Sequence, residues 1–444
     1  MFGMKKKLVF AAGIVSALFT FAAAETLIDA DTTMRLKASR DGSIYKKGEP
    51  VEFVLEVKKG ETPRAGIRFW SSVSKDGVNP TVLNTGITDK NGRAVVRGGS
   101  LGESGVLRCQ VGVYNPDTKK ETQLMAGAGF ELEKIRQGVP MPSDFKAYWE
   151  AQKKILAAIP LNAKMEKIDS EKAGVELFDI KADSFRGKLS GYYARPEGAA
   201  AKSCPAIIFP HGAGVGSSNK WSPRNWATKG FIALDYNAHG ILNGQPAEYY
   251  KNLNENELKG YRYRGSDSLE NCFFRELYLR TQRALDFLMA QPEWDGKILV
   301  AYGTSQGGGQ ALGAGGLCDK VSMVVACVPA MCDHNAIAVK RTNGWPNFMR
   351  GDKYGAYDMK VFKTVPYFDA ANFASLIKGE VLITAGLRDN VCPPSSVFAA
   401  YNNVKTKKRY MIAEEGSHTV PRDFYDKCYQ AIMEHVKEMR EVQK

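Results

Sequence analysis

Histidine is scarce in this chain, five residues in 444. A reaction that needs an imidazole base therefore has few places to find one: His211, His239, His334, His418 and His435. Cysteine is sparse too. Its eight residues include no C-x-x-C spacing, which argues against a disulfide scaffold. One or two pairs are compatible with an oxidising compartment, but spacing does not choose them, and buried free thiols are the default reading. H-E-x-x-H is missing as well, so no metal-binding pattern emerges. Internal repeats and low-complexity linkers are absent.

Long apolar runs are almost absent; the single candidate lies at the start. Lys5, Lys6 and Lys7 precede a mostly apolar stretch from Leu8 to Ala24, which ends Ala22-Ala23-Ala24 before Glu25. A charged start, an apolar middle and a small-residue cleavage site describe a secretory signal peptide over residues 1–24. The alternative, a retained anchor, is disfavoured by Gly13, Ser16 and Thr20 in a stretch already at the short limit for spanning. The expectation is an exported protein, periplasmic or extracellular, with no stable membrane anchor. Removing the leader takes away three lysines and no acid, lowering the formal charge from +13 to +10. Without a clustered basic stripe that balance is no nucleic-acid footprint, and no nucleic-acid partner is expected. Oligomerisation is left open.

The pattern changes character near residue 135. Val51–Val57, Ile67–Phe69, Val106–Val111 and Gly129–Leu132 read as strands, with turn sequences at Lys75-Asp76-Gly77 and Asp89-Lys90-Asn91-Gly92. Residues 25–135 are expected to form a smaller, immunoglobulin-like β-sandwich domain. The region contains no histidine and is expected to be separable from catalysis. From residue 136 to 444 strands and helices alternate. Ala206–Phe209, Phe231–Tyr236, Ile298–Val300, Ser322–Cys327, Val381–Ala385 and Arg409–Ile412 are short apolar strands, and Leu269–Met289 is an amphipathic helix. That alternation predicts an α/β domain with a mostly parallel sheet covered on both faces.

The most informative segment is Gly303-Thr304-Ser305-Gln306-Gly307, at the end of an apolar strand. Small residues around Ser305 permit the tight strand-to-helix turn of a nucleophile elbow, which lifts a serine hydroxyl clear of the sheet. A serine hydroxyl is a weak nucleophile at neutral pH and needs a base, which in turn needs an orienting acceptor. Asp389 follows the strand through Ala385, and His418 follows the strand through Ile412, beyond strand ends where open α/β sheets place their sites. Ser305, Asp389 and His418 also occur in the chain order expected of an α/β-hydrolase triad. Oxyanion donors are expected from the backbone N–H of Gln306 and, in the loop Phe209-Pro210-His211-Gly212-Ala213-Gly214, from that of Ala213. His211 suits structural support of that loop better than a rival base. The loop lacks the G-K-[ST] ending of a nucleotide-binding turn. His239 is a candidate for the mouth of the site, His334 for mouth or plain surface, and His435 for an exposed helix position. Trp345 and Phe348 are candidate sugar or aromatic platforms, or equally the core of a lid.

These residues support a resemblance. From about Pro142 onward the chain resembles the acetyl xylan esterase and cephalosporin-C deacetylase family of carbohydrate esterases. The resembling segments are Pro142-Ser143-Asp144-Phe145 with Trp149, Gly303 to Gly308, Tyr367 to Ala374, and Gly386-Leu387-Arg388-Asp389-Asn390-Val391-Cys392-Pro393-Pro394. The resemblance implies an α/β-hydrolase fold, with Ser305 as nucleophile, His418 as base and Asp389 as its orienting acid. It also implies an acylated carbohydrate substrate and no cofactor. Two departures bear on specificity: Ala238-His239-Gly240 stands where the family usually has Arg-Gly-Gln, and Ala213 stands where it usually has tyrosine. The β region lies outside this resemblance. The expected activity is removal of O-acetyl groups from plant polysaccharides such as xylan. Alternatives are a feruloyl or other bulky-acyl esterase, a peptidase, and, from a different class, a non-catalytic glycan-binding protein.

Overall fold

The computed structural model describes residues 31–78, 83–115, 120–349, 351 and 356–441. The expected signal peptide at 1–24 lies outside the described residues. Among those described, no helix is long and apolar enough to cross a membrane.

Up to residue 130 the regular elements among the described residues are all β. These strands are β1 (Thr32–Ala38), β2 (Ile44–Tyr45), β3 (Val51–Lys59), β4 (Thr62–Pro63), β5 (Arg68–Lys75), β6 (Leu83–Ile87), β7 (Arg93–Gly99), β8 (Gly105–Asn115) and β9 (Lys120–Phe130). One sheet runs β1-β3-β4 with β7 also paired to β3, and the other runs β2-β9-β8-β5-β6. Alternation sends one side of each strand inward: Phe53, Leu55 and Val57 from the first sheet meet Phe69, Cys109, Val111 and Phe130 from the second in one core.

The second part opens with α1 (Phe145–Ala157), whose buried residues Phe145, Trp149, Gln152 and Leu156 recur at helical spacing. Among the described residues nine strands then build one sheet: β10 (Lys164–Ile168), β11 (Val175–Ser184), β12 (Gly187–Pro196), β13 (Cys204–Pro210), β14 (Ile232–Tyr236), β15 (Trp294–Thr304), β16 (Met323–Cys327), β17 (Glu380–Gly386) and β18 (Lys408–Ala413). The spatial order is β10-β11-β12-β14-β13-β15-β16-β17-β18. The first four are joined by antiparallel pairings and the rest are parallel. The helices that cover it are α2 (Trp221–Ala227), α3 (Ala247–Glu255), α4 (Phe273–Met289), α5 (Gln306–Leu317), α6 (Met359–Thr364), α7 (Ala370–Ala374), α8 (Pro394–Asn403) and α9 (Arg422–Glu441).

The central strands are largely apolar in their middles because both faces are covered. Ala206, Ile208, Leu299, Ala301, Val324, Ala326, Val381 and Ile383 enter one core with α1, α4, α5, α7 and α8. Their neighbours Ile207, Phe209, Ile298, Val300, Met323, Val325 and Leu382 enter the other, with Trp226 of α2 and Cys428, Ile432 and Val436 of α9. The parallel strands therefore end together on one edge of the sheet, and the turns that follow β13, β15, β17 and β18 carry Ala213, Ser305, Asp389 and His418.

Two expectations are corrected here. His334 is neither mouth nor surface: it is 1% exposed, its ring packed against Phe348 and Phe274, and burial lowers its pKa to about 3. His435 is not exposed either, because α9 turns it inward, where its Nε2 lies 3.0 Å from Ser322 Oγ and its Nδ1 3.5 Å from Glu380. All eight cysteines are free thiols, each buried.

Candidate active site

The site begins with a strained residue. Ser305 has φ 58° and ψ −123°, a left-handed conformation that costs a non-glycine residue energy and persists only where its surroundings hold it. They hold it here through three backbone bonds. Ser305 N–H donates to Cys327 O at 2.9 Å, and Ser305 O accepts from Ala330 N at 2.9 Å and Gly309 N at 3.1 Å. The glycines around it are sterically required. A Cβ on Gly303 would lie 2.1 Å from Gly307 O, and one on Gly307 would lie 2.3 Å from Pro210 O. The sequence G-x-S-x-G thus folds as an elbow because nothing larger fits its two outer positions.

His418 brings the elbow and the loop after β17 together. Its Nε2 is 2.9 Å from Ser305 Oγ, and its Nδ1 is 2.8 Å from Asp389 Oδ2. An ionised carboxylate only accepts, so Nδ1–H donates to Asp389 and the neutral ring leaves Nε2 to accept the serine proton. Asp389 is wholly buried and fully used: Oδ1 accepts from Val391 N and Cys392 N, both at 2.8 Å. His418 keeps a quarter of its side chain exposed, and Ser305 is half-buried, so a substrate can reach both. Asp389, Cys392 and His418 hold their polar atoms within 4.8 Å of one another. Carboxylate and ring are already bonded together, and burial holds the Cys392 thiol well above its ordinary pKa. That donor set suits a hydrogen-bonded relay better than a metal.

Gln306 is the first residue of α5, so its N–H is among the helix amides with no intrahelical acceptor. Its side chain reaches across to the loop after β13: Nε2 donates to Gly212 O at 3.2 Å, while Gln310 Nε2, one turn on, donates to His211 O at 2.9 Å. Pinning the Gly212 carbonyl also fixes the Ala213 N–H, which shares its planar trans peptide. Ala213 itself is exposed.

His211 sits half-buried in this loop, its pKa lowered by burial. His239 Nε2 lies 3.0 Å from Gly214 O, and burial, reinforced by the Arg280 charge, lowers its pKa to about 4. It is a neutral brace for the glycine loop. A residue that sequence reasoning missed, Tyr261, braces the same glycine from the preceding peptide: its hydroxyl accepts from Gly214 N at 2.9 Å, and its ring meets His239 edge-on at 4.5 Å. Tyr261 reaches this loop from another part of the chain, between α3 and α4. Only a tyrosine-rich stretch, Tyr261-Arg262-Tyr263, hinted at it.

Trp345 and Phe348 separate. Phe348 is 8% exposed and packs with Phe274, Tyr263 and His334, so it is core of the insertion between Cys332 and Tyr367 and offers no platform. Trp345 is half-buried against Phe274, and its N–H donates to Val391 O at 2.7 Å, tying the insertion to the Asp389 loop.

Comparison with known proteins gives one consistent result. The family model for acetyl xylan esterase (AXE1) matches residues 125–435. Acetyl esterase Axe7A of Xylanibacter ruminicola is 30% identical over 384 residues, 84% of this chain and 84% of that one. That span is longer than the family match, so the likeness extends into the β region, which sequence reading had left outside it. Among solved structures, the acetyl xylan esterase from Paenibacillus sp. R4 is 26% identical with a TM-score of 0.60, covering 68% of this chain and 98% of its own. Acetyl xylan esterase 1 from Thermoanaerobacterium sp. JW/SL YS485 is 28% identical with the same TM-score, covering 69% and 98%.

Proposed function

The chain belongs to the acetyl xylan esterase family, and from that membership we infer that it removes O-acetyl groups from plant polysaccharides or oligosaccharides such as xylan. It is a serine carboxylic-ester hydrolase acting on acylated polysaccharides. The observation that carries the assignment of roles is the continuous chain from Ser305 Oγ through His418 to the buried Asp389 carboxylate, 2.9 and 2.8 Å per link.

In this reading His418 Nε2 takes the Ser305 proton as Oγ attacks the acetyl carbonyl. The tetrahedral oxyanion is stabilised by the N–H groups of Gln306 and Ala213. His418 then protonates the departing sugar hydroxyl, leaving an acetyl-serine, and activates water to hydrolyse it. Asp389 holds the ring in the tautomer that both steps need and supports the imidazolium between them. His211, His239 and Trp345 shape the mouth. A half-exposed serine at an open edge suits an ester carried on a bulky polymer.

The domain assignment belongs to the same proposal: a signal peptide at 1–24 directing export, a β-domain at 25–135 and a hydrolase domain at 136–444. Two mostly antiparallel sheets around one core support an immunoglobulin-like sandwich for the β-domain. The test is release of acetate, ferulate or peptide from acetylated xylan, methyl ferulate and casein. Acetate release by the wild type, lost at least about a thousandfold in folded S305A, is expected. Ferulate or peptide release in its place would replace the acetyl reading, and near-normal activity in S305A would remove the nucleophile.

A further inference from the structure

The β region does more than sit beside the hydrolase. Its contacts reach both loops that carry Asp389 and His418, buried at the first and more exposed at the second. Arg108, in β8, extends a guanidinium to the backbone of the proposed triad acid: Nη2 donates to Asp389 O at 2.9 Å in a buried bond. The turn after β5 secures the ground around it. Asp76, fully buried, accepts through Oδ2 from Thr342 N at 3.0 Å and Ser395 Oγ at 2.8 Å, and its backbone O accepts from Thr342 Oγ1 at 2.6 Å. Beside them Gly127 of β9 passes so close to the loop that a Cβ there would lie 2.3 Å from Leu387 O.

The histidine loop is held from the same side. Glu415, three residues before His418, takes Arg35 of β1 on Oε1 through Nε at 2.8 Å and Arg388 on Oε2 at 2.7 Å. Arg388 Nη2 also donates to Leu36 O of β1 at 2.7 Å, and Ser43 Oγ donates to Glu414 Oε2 at 3.0 Å. Residues from both β sheets thus hold the base loop and the acid loop.

We propose that Arg108 is a positioning residue for the hydrolase triad, and that it works with the Arg35–Glu415–Arg388 cluster to make the β region part of the catalytic apparatus. The proposal rests on the triad reading above. Arg108 touches no substrate. It holds the Asp389 peptide, so that the carboxylate and the imidazole stay in register while the proton moves. A displacement of an ångström in such a relay costs about a hundredfold in rate.

The experiment uses full-length wild type, R108A, R108K, E415Q and S305A on para-nitrophenyl acetate, with circular dichroism and thermal melts to establish folding. A folded R108A is expected to lose about 10- to 100-fold in kcat with KM changed less than about threefold. It is also expected to lose the far-downfield proton resonance of His418 Nδ1–H bonded to Asp389. R108K keeps a donor, and recovery of both signals is expected in part. If R108A does not fold, E415Q decides at the exposed rim, with kcat lowered about three- to tenfold at unchanged KM. Wild-type kcat and resonance in a folded R108A, or in E415Q where that variant decides, would overturn the proposal even if melting temperature fell. The S305A control separates the two readings. An active S305A defeats the triad assignment itself, whereas an inactive S305A beside a fully active R108A defeats only the positioning role.

Discussion

Asp389 accepts four hydrogen bonds at once, two on Oδ1, one on Oδ2 and one on its carbonyl. Those bonds predict what Asp389→Asn does. The two backbone donors keep the amide oxygen where Oδ1 now lies, so the NH2 group faces His418 Nδ1. That nitrogen must then accept, the ring proton moves to Nε2, and Ser305 loses its base. We expect kcat to fall about a thousandfold or more with the fold unchanged, read from steady-state kinetics and circular dichroism. A second residue tests burial. Asp235 in β14 accepts from Asn219 N at 2.9 Å, and burial raises its pKa to about 7. Because the folded value lies above the unfolded one, its contribution to stability is complete below about pH 4 and is lost as pH rises through 7. Asp235→Asn should therefore gain on the wild type between pH 5 and pH 8, by on the order of 1–3 kcal/mol in urea melts. At this scale the sequence was partly legible. Ser305, Asp389 and His418 declare themselves through local motifs, whereas Arg108, Asp76 and Tyr261 acquire a role only from partners that the fold delivers. Arg108 and Asp389 are 281 positions apart, and no local spacing encodes that.

Elements were legible in proportion to how unbroken their apolar pattern is. The strands β13 to β17 read as apolar runs because both their faces are covered. The three antiparallel strands β10, β11 and β12 drew no assignment, because exposed charges in Lys164–Ile168 and the Gly, Ser and Arg of Gly187–Pro196 dilute the pattern. α9 carries its own signal, a helical stripe of Phe424, Cys428, Ala431, Ile432, His435 and Val436. The junction of β15 and α5 yields the sharpest test. Gly307→Ala would drive a methyl carbon into Pro210 O, which leads into the loop held by Gln306 and Gln310. The expected result is a destabilisation of about 1–3 kcal/mol and a kcat lowered about tenfold or more, measured by chemical denaturation and para-nitrophenyl acetate turnover. Unchanged kcat would mean that the loop after β13 contributes little to the oxyanion.

For the whole molecule, composition suggested two regions that divide their labour, with the β region dispensable on a small ester. The bonds from Arg35, Leu36, Ser43, Asp76 and Arg108 argue for a different outcome. A chain begun near Gln137 keeps Ser305, Asp389 and His418 but loses all five of those contacts, and it uncovers the apolar surface beneath Val106. We expect activity per folded molecule on para-nitrophenyl acetate to drop at least about tenfold, with size-exclusion chromatography establishing that the sample is monodisperse. Full activity in such a chain would restore the separable reading.

The eight buried thiols supply a way to watch that partnership come apart. Cys109 lies in the core between the two β sheets, and the other seven lie in the hydrolase cores and their margins. A thiol reagent added to the native protein should find every sulfur closed to it, then all eight open in guanidinium. Under mild denaturant, the order of labelling becomes a clock with one hand in the β region and seven in the hydrolase. If Cys109 and Cys392, which sits in the Asp389 loop, are modified at one shared rate, the molecule opens as a single cooperative unit. If Cys109 labels first and alone, the β region lifts away while the rest stays shut.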